Sequence, residues 1–168
     1  EKHFAVGVGE RLEPGSLQEA APVADFGELA WAPYALKDKD RRTSSVRYHL
    51  FWSPHKLHRM TSTDGITWED HRIVMEKPYH RFFRDAMILP VAEGQWLMYA
   101  TARGMYFSRI DVYQSFDLEH WQYIGGALET GPGSERNFVS GSTESPFVMC
   151  YQGRYYLSVT YNNDSFFW

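Results

Sequence analysis

The chain has 168 residues, with 17 Lys+Arg against 21 Asp+Glu, a formal net charge of −4 and 43% hydrophobic residues, the balance of an ordinary folded domain. Aromatics at 17% exclude a disordered chain, no apolar run approaches the ~20 residues of a membrane-spanning helix, and the acidic balance excludes a broad nucleic-acid footprint. The single cysteine, Cys150, excludes an internal disulfide and a Cys-rich zinc site.

From the N-terminus, Glu1-Lys2-His3-Phe4 runs straight into Ala5-Val6-Gly7-Val8-Gly9. No basic leader precedes a long apolar stretch, so no signal peptide is read there and the compartment is left open. Residues 4–12 read as the third strand of a unit whose first two strands are missing. A whole unit follows at about 30–75. Its short apolar strand Ala32-Pro33-Tyr34-Ala35-Leu36 precedes the aromatic strand Tyr48-His49-Leu50-Phe51-Trp52-Ser53. The turn Ser62-Thr63-Asp64-Gly65-Ile66-Thr67-Trp68 comes next. The same order recurs at about 82–128: Asp85-Ala86-Met87-Ile88-Leu89, Trp96-Leu97-Met98-Tyr99-Ala100-Thr101, then Ser115-Phe116-Asp117-Leu118-Glu119-His120-Trp121. A last unit begins near 143 with Ser145-Pro146-Phe147-Val148-Met149 and Tyr155-Tyr156-Leu157-Ser158-Val159-Thr160.

The two S-x-D-x-x-x-W copies lie 53 residues apart. Breakers such as Glu93-Gly94 and Gln152-Gly153 mark tight turns. A period of ~50 residues with four strands per unit is the signature of a β-propeller blade. The expected fold class is therefore all-β, a β-propeller of which this chain covers about three blades. The expected division is a partial blade 1–28, a blade 29–80, a blade 81–141 and a partial blade 142–168, with a missing segment or another chain closing the ring. In the repeated turn, Asp64 and Asp117 are expected to fix the loop through backbone N–H groups, and the Trp to pack between blades. Both aspartates are read as structural, not catalytic.

In a propeller the first strand of each blade lines the axis. Three strand starts are equivalent here: Trp31-Ala32-Pro33, Arg84-Asp85-Ala86 and Glu144-Ser145-Pro146. Asp85 and Glu144, 59 residues apart, are expected to meet at one pocket. Paired carboxylates are what glycosidic cleavage needs: one donates a proton to the leaving oxygen, another carries charge or activates water. An ion pair for Asp85 and a solvated position for Glu144 are the structural alternatives.

These three motifs, in this order and with the strands between them, resemble glycoside hydrolase families 43 and 32, five-bladed propellers acting on furanosides and related sugars. The resemblance spans roughly residues 28–160. It implies that Asp85 orients the acid and supports charge in the transition state, and that Glu144 is the general acid. It also implies that Arg84 bonds sugar hydroxyls and that Trp31 is a sugar-stacking platform, although Trp31 reads equally as a core residue. Two departures stand out: Ala86 where the family often has proline, and a Glu-Ser-Pro acid motif between the usual forms of the two families. The family's third carboxylate comes from the preceding blade, and the chain is expected to begin after it. Asp25 and Glu28 lie in an expected loop and match no motif.

The expected partner is a carbohydrate, with no nucleic acid, membrane, cofactor or metal. His55 and His58 are broken from helical presentation by Pro54, and His49 reads as a hydrogen-bonded core histidine. Gly131-Pro132-Gly133-Ser134 lacks the lysine of a phosphate cradle, and no nucleophile elbow supports Ser-His-Asp chemistry. Lys37-Asp38-Lys39-Asp40 and Arg41-Arg42 read as a solvated hairpin tip. A non-catalytic sugar-binding propeller, a sialidase-like propeller and a phosphorylase on the same scaffold are the rival readings.

Overall fold

The computed structural model describes residues 5–7, 22–25, 30–39, 45–104, 107–130 and 142–162. The expectations for Phe4, residues 8–12, Glu28, Asp40, Arg41-Arg42 and the 131–134 loop fall outside them. Every regular element among the described residues is a strand. β1 (Ala5–Gly7) pairs antiparallel with β2 (Pro22–Asp25). This corrects the expectation for Asp25, which stands in a strand opposite Ala5 and not in a loop.

Two four-stranded meanders follow. The first runs β3 (Trp31–Lys39), β4 (Val46–Ser53), β5 (Leu57–Ser62) and β6 (Glu69–Met75). The second runs β7 (Phe82–Ala92), β8 (Gln95–Arg103), β9 (Ser108–Ser115) and β10 (Gln122–Thr130). β11 (Ser142–Tyr151) and β12 (Arg154–Asn162) form a further antiparallel pair. These are propeller blades.

The blades stack through apolar faces set by strand alternation. Leu36, Phe51, Leu57 and Met75 of the first blade meet Phe83, Ile88, Met98, Tyr113 and Leu118 of the second in one core. The Trp121 indole lies edge-on to Phe51 across this seam, ring centroids 6.4 Å apart, as expected for the repeat tryptophan. Trp68 instead packs on Ala30, Leu50 and Trp52. A backbone bond from His55 N–H to the Phe83 carbonyl (2.8 Å) and the Arg59–Glu119 pair (2.9 Å) join the same two blades. The Ser108 hydroxyl ties the second blade to β11, donating to the Thr143 carbonyl and accepting from its N–H, each at 3.0 Å.

The repeated turn is built as its sequence predicts. The Ser62 hydroxyl accepts from the N–H groups of Asp64 and Gly65, and Asp64 Oδ1 accepts from those of Ile66 and Thr67. Ser115 and Asp117 repeat the pattern with Leu118, Glu119 and His120. The N–H bonds from Thr67 and Ile66 hold the Asp64 carboxyl down at about 2, against an ordinary 3.8. A depressed carboxyl stabilises the fold above its unfolded value, and the contribution disappears as pH falls through the folded one. Asp64→Ala is therefore expected to lower the melting temperature at pH 7. The gap to the parent should close as the pH drops from 3.8 to about 2, which thermal melts across that range check.

His49 lies in the core, 6% exposed, but it is not hydrogen-bonded as expected: its Nδ1 has no partner among the described residues. His58 Nδ1 sits 3.1 Å from His71 Nε2, and both rings lie against Trp52. His55 meets Phe82 edge-on.

Candidate active site

Each first strand breaks its pairing at the same place near its start, and β7 does so again between Pro90 and Ala92. The register with the second strand shifts between Trp31 and Tyr34 in β3, between Arg84 and Met87 in β7, and between Glu144 and Phe147 in β11. A bulge puts extra residues on one strand and re-aims a side chain. The second residue of each bulge has a left-handed backbone, with φ of 43° at Ala32, 56° at Asp85 and 51° at Ser145. Such strain in non-glycine residues collects at functional sites. Residues of all three bulges line one cavity of about 220 Å³, walled by Ala32, Pro33, Tyr34, Asp85, Ala86, Met87, Ser145, Pro146 and Phe147.

The register keeps the three motifs in the alignment read from the sequence. Asp85 corresponds to Ala32 and Ser145, whereas Glu144 corresponds to Arg84 and Trp31. Asp85 and Glu144 are thus not equivalent, yet they do come together. Arg84 Nη1 lies 3.2 Å from Asp85 Oδ2, and its Nη2 lies 2.6 Å from Glu144 Oε1. One guanidinium therefore bridges two carboxylates from adjacent blades. Asp85 is 7% exposed and reaches the cavity wall, while Glu144 stands beside the cavity. Asp85 Oδ2 also accepts from the Thr101 hydroxyl (3.0 Å) and the Ser145 N–H (3.3 Å). A carboxylate held by three donors is fixed in place and charged-group bonds of this kind are the strong ones.

Trp31 is half-buried at the register position of Arg84 and Glu144. The cavity wall on its blade is apolar apart from Tyr34, whose phenol burial pushes above its ordinary 10.0, so it remains a neutral donor. On the first blade the position of Asp85 is held by Ala32.

Sequence reasoning missed Thr101 and Ser145, because only strand pairing and blade contact bring them to Asp85. It also missed a latch ahead of β7. His80 Nδ1 lies 2.7 Å from the fully buried Asp111 carboxylate, and the Tyr79 N–H donates to the Tyr113 hydroxyl (3.1 Å). Tyr79 stacks on Tyr123 with ring centroids 4.0 Å apart. The connection into Arg84-Asp85 is thereby pinned to the blade face. The pairing of a histidine at 80 with an aspartate at 111 leaves no periodic mark in the sequence.

None of the curated proteins matches the chain. Among solved structures, it is similar to a family 32 beta-fructofuranosidase of Bombyx mori, an aspartate-to-alanine mutant in complex with sucrose, at 17% identity and a TM-score of 0.48. That match covers 73% of this chain and 25% of the other. A putative glycoside hydrolase from Parabacteroides distasonis matches at 18% identity and a TM-score of 0.49, covering 77% of this chain and 41% of that one. The chain thus spans from a quarter to two fifths of the length of these structures. The family model for the glycosyl hydrolases family 32 N-terminal domain matches residues 25–163, most of the chain, and the protein belongs to that family.

Proposed function

We propose that this chain forms part of a glycosidase domain that cleaves O-glycosidic bonds of furanosides or related sugars, with Glu144 as proton donor. In this reading the fixed charge of Asp85 faces the oxocarbenium-like transition state. Arg84 orients both carboxylates, and Trp31 offers a flat ring to the sugar. The observation that carries the reading is the Arg84 bridge between Asp85 and Glu144 beside a cavity shared by three blades. Segments or chains beyond the described blades would complete the ring.

The test is Glu144→Gln in the whole protein, assayed on aryl furanosides and fructans. Turnover should fall on the order of 10²-fold or more. The loss should be smaller for aryl leaving groups that depart without a proton. Unchanged turnover on every substrate overturns the assignment.

A further inference from the structure

The first blade keeps the scaffold that serves Asp85 but lacks the side chain being served. Ala32 repeats the Asp85 bulge, its left-handed backbone and its place in the cavity wall. Alanine gains nothing from that backbone, which Asp and Asn tolerate better. The hydroxyl partner is conserved in position as well. Thr101 pairs with Arg84 across the ladder and donates to Asp85; Ser53 pairs with Trp31 in the same register. Ser53 is fully buried, and its hydroxyl has no partner among the described residues. A buried hydroxyl seeks an acceptor, and here the acceptor position carries a methyl group.

Substitution at an anomeric carbon that departs from a protonated leaving group is completed from the opposite face of the sugar. Asp85 and Glu144 grip the same guanidinium. Asp85 Oδ2 is further committed to Thr101 and Ser145. The first blade's share of the cavity wall is Ala32, Pro33 and Tyr34, with no carboxylate.

We propose that the cavity slot at Ala32 receives a small external nucleophile, water or a compact monoanion, which attacks the anomeric carbon in place of a protein carboxylate. The inference rests on the reading of Glu144 as proton donor. With water, the bond from the anomeric carbon to the leaving oxygen breaks and that oxygen takes the Glu144 proton. The water oxygen bonds the anomeric carbon, and the proton it sheds is returned through solvent to Glu144. With a monoanion no such proton is shed, and the anion is retained in the product. Formate is the group that aspartate carries beyond its Cβ, so formate beside Ala32 restores the missing side chain in two pieces.

The experiment measures turnover of an activated aryl furanoside by the whole protein with and without sodium formate, and identifies products in sodium azide. Formate should raise the rate with saturation, and azide should yield the glycosyl azide. Ala32→Asp should raise formate-free turnover on the order of 10²-fold and abolish the formate effect. Ser53→Ala should raise the formate concentration needed for half-maximal rate. If turnover depends on Glu144 while formate, azide and a folded Ala32→Asp variant all leave the rate unchanged, the slot is refuted and the proposed function stands. If parent and variant, both folded by thermal melting, neither bind nor cleave any furanoside, the proposed function fails and the slot falls with it.

Discussion

Replacing Arg84 with alanine is expected to destabilise the protein by about 3–5 kcal/mol, the range for stripping one partner from a buried ion pair. Arg84 is 19% exposed and Asp85 6% in their side chains. Its loss leaves the Asp85 charge buried, with only the Thr101 hydroxyl and the Ser145 N–H as donors. It also releases Glu144 from its 2.6 Å contact, so β7 and β11 lose their shared ion. For a chain of this size the melting temperature should fall by roughly 10 °C. The double variant Arg84→Ala/Asp85→Asn removes the stranded charge and should recover much of the loss. Denaturant titration of both variants at neutral pH checks this. A single-variant loss below about 1 kcal/mol would put the bridge in the class of surface pairs.

Acid should weaken the fold through His49 before it reaches the carboxylates. Burial, reinforced by the charges of Arg59 and Arg47, lowers its imidazole from 6.5 to about 4. Unfolded chains take up this proton near 6.5, whereas the folded chain resists until about 4. The advantage of neutral His49 is therefore complete above 6.5 and is lost as pH falls across that window. By linkage the loss is on the order of 2–3 kcal/mol. His49→Leu keeps the apolar contacts and should flatten stability across the same window. Denaturant midpoints at pH 7, 5.5 and 4 for parent and variant settle the point, since Asp64 acts only below 3.8. A parent curve as flat as that of the variant would mean that His49 protonates freely in the folded state.

The repeat was readable because its physical causes are local. The Ser62 and Asp64 side chains bond N–H groups within three residues, so the turn is written in consecutive letters. Gln152-Gly153, with φ of 49° and 73°, closes β11 onto β12 for the same reason. Aromatic strands such as Tyr48–Ser53 announce their buried faces by composition. His49 shows the limit: its burial followed from its strand, but the lack of a partner for Nδ1 depended on the neighbouring side chains.

The sequence by itself determined the blades and the turns that end them. Each of these depends on residue type and near-neighbour spacing. Tertiary structure alone decided that one guanidinium joins both acids, and that Ala32 and Ser53 reproduce the Asp85–Thr101 arrangement without its carboxylate. The physical reason is that these contacts join different strands and different blades. Neither strand alternation nor motif spacing records them, because they exist only once the paired strands, their bulges and the adjacent blades have come together.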